Sequence, residues 1–187
     1  SEAVEVDPVR DLIFLGSGGV VLILDGADHT NPTLISDDLH TQGVVEDLHF
    51  EAATQRLYAA CGEGGLEIWD LANPALPGRL SITEVLYFGY ETPVGNVDVY
   101  EQYAIVECSW GYVHSLDVSD PTAPVQVSFN GLMGNPARDI HVSADGQVHS
   151  SGAQRYLRMA IFPDGSYGNG AAMRVSPVGF AMDTVDR

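Results

Sequence analysis

The sequence contains no lysine. Its eight basic residues are all arginine, set against 26 acidic residues, for a formal net charge of −18 at pH 7. Nucleic acids and anionic membrane surfaces carry phosphate charge that Lys and Arg must neutralise, so a chain this negative disfavours both as partners. It favours cations, basic partners or plain solubility. Long apolar runs are missing too: none approaches the ~18 residues that suggest a membrane span. The opening SEAVEVD is acidic and lacks the apolar core of a secretory leader. Several site-building motifs are absent. The glycine clusters at 16–19 and 62–65 lack a GK[ST] ending and join strand to strand, so they are not phosphate loops. There is no G-x-S-x-G elbow and no calcium loop of the D-x-[DN]-x-[DN]-G type. Ser109 and His114 are close in sequence, but nothing orients them as nucleophile and base, so no residue is assigned a catalytic role.

What is present is a repeat. Gly64 to Pro77 reads GGLEIWDLANPALP: two glycines, an apolar strand, an aspartate, then two proline stops. Trp110 to Pro124 reads WGYVHSLDVSDPTAP, and Gly18 to Pro32 reads GGVVLILDGADHTNP. Asp25, Asp70 and Asp117 correspond, at spacings of 45 and 47 residues. Units of this length built from short strands and turns predict an all-β fold, a β-propeller with one four-stranded antiparallel blade per repeat. At 187 residues and 45% hydrophobic content the chain suits one core and one domain.

Four units are expected, at approximately 2–39, 40–85, 93–134 and 136–176. The first has strands at Ala3–Val6, Leu12–Leu15, Val20–Asp25 and Thr33–Ser36. In the second they fall at Glu46–Phe50, Arg56–Cys61, Leu66–Leu71 and Arg79–Thr83. The third follows an aromatic insertion, Val85–Thr92, with strands at Asn96–Tyr100, Tyr103–Cys108, Tyr112–Val118 and Val125–Phe129. The fourth has strands at Arg138–Val142, Gln147–Ser151, Tyr156–Phe162 and Ala171–Val175. Residues 177–187 read as a tail or as the start of a fifth blade. The ring therefore either closes on four blades or is part of a larger one. Cys61 and Cys108 lie 47 residues apart, at equivalent places in neighbouring blades. That is farther than the ~5.5 Å Cα separation a disulfide prefers, so they are expected as small buried residues.

The segments Gly64–Pro77 and Val113–Pro124, and more loosely Val20–Pro32, resemble the LVIVD repeat, a bacterial and archaeal β-propeller repeat. The resemblance covers most of residues 2–130. It implies the propeller architecture and a secreted or cell-surface setting, and it implies no particular activity.

Two groups of residues are candidates for function. On the inner strands, Asp47-Leu48-His49, Asp98-Val99-Tyr100 and Asp139-Ile140-His141 align by sequence. Residues i and i+2 share a strand face, so Asp47, His49, Asp98, Asp139 and His141 are expected to converge on the central channel. Imidazole with carboxylate suits a divalent ion such as Zn, Mn or Fe, and carboxylate with carbonyl suits Ca. A metal-bound water there could support hydrolysis. The competing reading makes these aspartates acceptors for backbone N–H groups, tying blade to blade. The second group is Tyr87, Phe88, Tyr90, Trp110 and Tyr112, candidates for a contact surface or for a lid on the core. The expected function is a non-catalytic binding and scaffolding module, secreted or on the cell surface. Its expected partner is a protein or a second chain completing the propeller, including a second copy of itself. The alternative is a metal-binding protein or metal-dependent enzyme, with one Ca, Zn or Mn ion in the channel.

Overall fold

The computed structural model describes residues 3–109, 111–131, 139–144, 146–152 and 155–160. Its strands form successive antiparallel sheets, each built from neighbours in sequence. Blade 1 comprises β1 (Val4–Asp7), β2 (Leu12–Ser17), β3 (Val20–Asp25) and β4 (Thr33–His40). Blade 2 comprises β5 (Asp47–Glu51), β6 (Arg56–Ala60), β7 (Leu66–Asp70) and β8 (Gly78–Thr83). A small hairpin follows, β9 (Leu86–Tyr87) with β10 (Tyr90–Glu91). Blade 3 comprises β11 (Val94–Tyr100), β12 (Tyr103–Cys108), β13 (Tyr112–Asp117) and β14 (Val125–Gly131). Blade 4 shows β15 (Ile140–Val142), β16 (Gln147–Gly152) and β17 (Arg155–Ala160). Its expected fourth strand and the 177–187 segment lie outside the described residues.

The turn chemistry follows the repeat. The carboxylates of Asp25, Asp70 and Asp117 each accept the N–H two residues on, from Ala27, Ala72 and Ser119, at 2.8–2.9 Å. These Asx turns stop the third strand of each blade just before its proline. Between blades 1 and 2 the backbone comes very close: a Cβ on Gly43 would sit 2.0 Å from the Cys61 carbonyl oxygen. Only glycine fits there.

The core consists of layers between blades. Phe14, Val21 and Ile23 of blade 1 pack with Leu48, Phe50, Leu57, Ala59 and Trp69 of blade 2. The other face of blade 2, Tyr58, Ala60, Leu66 and Ile68, packs with Val97, Ala104, Val106 and Leu116 of blade 3. Tyr103, Ile105 and Val113 of blade 3 then meet Ile140, Val142 and Val148 of blade 4. Blades 2 and 3 are thus covered on both faces, which is why their central strands are apolar nearly throughout. Each fully buried aliphatic or aromatic side chain contributes about 1.5–3 kcal/mol. Cys61 and Cys108 are free and buried, in different layers. Burial pushes both thiols well up, so neither is a thiolate at neutral pH.

Polar links cross the same junctions. The Arg10 guanidinium, paired with Asp7, donates to the Leu71 carbonyl at 2.8 Å and lies over the Phe50 ring. The Glu67 carboxylate is fully buried, accepting from the Gln42 N–H at 2.6 Å and the Trp69 indole at 3.1 Å. Burial raises its pKa against those bonds and the nearby Arg79. Gly62 and Val94 exchange both backbone hydrogen bonds and join blade 2 to blade 3.

Candidate functional site

The inner strands β1, β5, β11 and β15 pack side by side in that order. Cross-strand rows counted from the repeat aspartates fix which of their residues correspond. Two positions before Asp25, Asp70 and Asp117, the rows run Ile23–Phe14–Glu5, Ile68–Tyr58–His49 and Ser115–Ile105–Asp98. Glu5, His49 and Asp98 are therefore equivalent. Four positions before Asp70 and Asp117, the rows end on Asp47 and Asn96. The sequence alignment of Asp47 with Asp98 is thus off by two residues. The cause is turn length: four residues join β5 to β6 and two join β11 to β12, so matching the strands by their Asp-x-His and Asp-x-Tyr pattern slips the register.

The slip has a chemical meaning. Asp98 does not stand beside another aspartate; it stands between two imidazoles. His49 Nδ1 lies 2.9 Å from Asp98 Oδ1 and His141 Nδ1 lies 3.2 Å from Asp98 Oδ2. The same carboxylate accepts the Val99 N–H at 2.7 Å and the Val142 N–H at 2.6 Å. A carboxylate only accepts, so each imidazole must present its Nδ1–H to it. Burial works against ionisation of Asp98, but the bonds from His49, Val142 and Val99 outweigh it and hold its pKa below the ordinary value.

Asp47 repeats the tie one junction earlier, accepting the Val97 N–H at 2.9 Å. Asp47 thus bonds the residue after its equivalent, Asn96, and Asp98 bonds the residue after His141. Burial raises the Asp47 pKa; the N–H groups of Val97 and Leu48 oppose that, and the charges of Asp139 and Glu5 add to it. Asp139 is exposed. Of the five sequence-predicted ligands, the structure brings three together, His49, Asp98 and His141. Asp47 and Asp98 both bind neighbouring backbone. Among the described residues, no group of three or more His, Cys, Asp or Glu side chains is arranged to hold a metal ion.

The second candidate lies on the outer part of blade 3. Tyr87 is its hub: its ring stacks on Tyr112 at 4.1 Å and meets Phe88 at 4.6 Å and Phe129 at 5.4 Å edge-on. Tyr112 also hydrogen-bonds Tyr87, which raises the Tyr87 pKa. The β9–β10 hairpin carrying Tyr87 is fastened by Gln126. Its amide accepts the Leu86 N–H at 3.0 Å and donates to the Leu86 carbonyl at 2.8 Å, as a neighbouring strand would. Its amide nitrogen also lies 3.0 Å from His114 Nδ1. Burial lowers the His114 pKa to about 4, so the ring is neutral at pH 7 and Nδ1 accepts from Gln126. Phe88 is 71% exposed and Tyr90 77%. Trp110, the remaining residue of this predicted surface, lies outside the described residues. Gln126, Phe129 and His114 were not predicted, because nothing in the repeat marks what an inserted hairpin folds onto.

Comparison with known proteins supports the architecture. Residues 93–129, essentially blade 3, match the LVIVD repeat family. Many solved structures are similar, among them the following three. The periplasmic gluconolactonase of Pseudomonas aeruginosa is 14% identical, with a TM-score of 0.71, over 87% of this chain and 50% of its own. A protein from Lactobacillus plantarum is 13% identical, with a TM-score of 0.68, over 87% of this chain and 52% of its own. The computationally designed Ika4 protein is 13% identical, with a TM-score of 0.61, over 89% of this chain and 88% of its own. This chain spans about half the length of the first two. At these identities the likeness shows the fold, a β-propeller, and nothing further. No curated protein matches the sequence.

Proposed function

We propose that this β-propeller chain, whose third blade is an LVIVD repeat, is a non-catalytic binding and scaffolding module with the β9–β10 hairpin as its contact face. The observation that carries the reading is the backbone of Phe88. Phe88 and Gly89 both have positive φ, +49° and +84°, at the two central positions of a two-residue hairpin. Such a turn favours Asn-Gly or Gly-Gly. A bulky residue in this left-handed conformation costs about 1–2 kcal/mol. Here the strained residue is an aromatic ring left largely in solvent. Strain kept at an exposed ring points to a contact made there.

Rings on a hairpin pinned by Gln126 offer much apolar area with little entropy left to lose on binding. Glu84 precedes the hairpin and Glu91 lies in its second strand, and the chain carries a net charge of −18. The partner is therefore a protein segment with an apolar anchor and basic flanks. The acidic, lysine-free composition and the resemblance of several segments to LVIVD repeats support a secreted or cell-surface setting.

The reading is tested by panning a displayed random-peptide library on the immobilised protein. Selected peptides should combine an apolar anchor with Arg or Lys, and should lose at least tenfold in affinity for Phe88→Asn and Tyr90→Ala. If the selected binders are indifferent to both substitutions, the hairpin is not the contact face.

A further inference from the structure

The β9–β10 hairpin is fastened to blade 3 at a point whose chemistry depends on a proton. Gln126 meets Leu86 through both ends of its amide: Oε1 accepts the Leu86 N–H and the amide nitrogen donates to the Leu86 carbonyl. That pairing fixes which way the amide faces, because turning it over would set N–H against N–H and oxygen against oxygen. The second amide hydrogen is left for His114 Nδ1, 3.0 Å away. Nδ1 must therefore carry a lone pair, and the hydrogen of the neutral ring sits on Nε2.

A protonated ring has no acceptor at either nitrogen while the hairpin is docked. A hydrogen on Nδ1 would face the N–H of Gln126. Nε2 is buried, and among the described residues nothing accepts from it. The surrounding elements supply no compensating charge. The titratable neighbours are Tyr112 on the same strand, Tyr87 on the hairpin, and Cys108 of β12 and Tyr58 of β6 in the same layer, all neutral in acid. From β14 come Gln126 and Phe129, which do not titrate. Glu67 and Glu107 alternate with the residues that line this layer, so their carboxylates lie on the opposite sheet faces, and Arg79 is with Glu67. Glu84 and Glu91 are exposed. The charged ring therefore requires Gln126 to withdraw, and Gln126 withdraws only by giving up Leu86.

We propose that His114 is a proton-operated latch: neutral, it lets Gln126 hold the β9–β10 hairpin in place, and protonated, it releases the hairpin, so that acid loosens the contact face. The regulatory role rests on the hairpin being that face; the latch itself is read without a ligand. The lowered pKa of the buried ring is the same coupling seen from the proton. A released, hydrated ring titrates near the ordinary ~6.5, so acidification from pH 7 to pH 5 should shift the balance towards release by about ten- to twentyfold.

Native-state hydrogen exchange followed by NMR tests it. Protection of the Leu86 amide, corrected for the intrinsic pH dependence of exchange, should fall by about ten- to twentyfold between pH 7 and pH 5. The fall should be the same in dilute urea, the mark of a local opening. His114→Leu should abolish it. The ring nitrogen shifts of the wild-type protein should show the Nε2–H tautomer at pH 7, a result that needs no variant. Leu86 protection independent of pH, an undiminished pH dependence in His114→Leu, or the Nδ1–H tautomer overturns the latch. Adding a saturating histidine-free peptide selected on the hairpin should restore Leu86 protection at pH 5 by tenfold or more. A latch that behaves as expected with no peptide able to restore it would overturn the contact face instead.

Discussion

Blades 1 and 2 are built from nearly the same sentence of sequence and differ in what lies against them. In blade 2 both faces of the sheet are buried, and Leu57, Ala59, Leu66 and Ile68 are inaccessible to solvent. In blade 1 one face is equally inaccessible, at Phe14, Val21 and Ile23, while the opposite face is open at Val4 and Val6. Apolar side chains alone therefore do not define the core of a propeller. A strand is interior only when a neighbouring blade completes the layer.

The contrast can be broken by paired substitutions. Leu57 and Ile13 occupy equivalent sites, facing Trp69 and Leu24 across their sheets. Leu57→Ala should cost about 2–5 kcal/mol in urea unfolding, through lost transfer energy and a cavity. Ile13→Ala should cost under about 1 kcal/mol. Equal costs would mean that the blade 1 face is covered.

The covered interior also holds a titrating group, which the bare face lacks. His114 is depressed to about 4 when folded, against an ordinary value near 6.5. The unfolded chain therefore binds the extra proton between those two values. The associated stability is complete above pH 6.5 and is lost as pH falls towards 4, by roughly 3 kcal/mol in all. His114→Leu should flatten that part of the stability–pH curve, measured by denaturant titration at several pH values.

Asp98→Ala should cost about 2 kcal/mol, because it leaves the buried Val142 N–H without its acceptor. Asp98 has a lowered pKa, so its contribution is present above its unfolded value and fades as pH falls through the folded one. Native-state hydrogen exchange at Val142 should report the loss directly. Smallest of all is Phe88→Asn, expected to change stability by no more than about 0.5 kcal/mol either way. Relief of the left-handed strain offsets lost ring contacts. A large destabilisation would make Phe88 a structural residue and count against the contact reading.

The repeat made much of this legible in advance. Glycine turn, apolar strand, aspartate and proline gave the blades, and the correspondence of Asp25, Asp70 and Asp117 was readable from their spacing. The aspartates as inter-blade ties were foreseen as a role, and Asp47 and Asp98 fill it. The row they belong to was not, because a one-dimensional alignment cannot see that one hairpin turn has two residues more than another. Only cross-strand register shows that Asp98 stands with His49 rather than with Asp47. The aromatic insertion was visible as a group of rings, but its seat on Gln126, His114 and Phe129 depends on contacts about 40 residues away. No local pattern encodes those.

The ties at Asp47 and Asp98 also set a schedule for folding. Each reaches a backbone N–H that lies 50 and 44 residues later in the chain, respectively. At ribosomal rates of about 5–20 residues per second, a finished hairpin waits roughly 2–10 s before the strand that satisfies its carboxylate is made. Each nascent blade therefore holds a bare apolar face and an unmet acceptor until the next one arrives, and the newest blade is always the vulnerable one. Stability in such an array accumulates from neighbour to neighbour, so a stall in synthesis between blades is the moment when this chain is most exposed to misassembly.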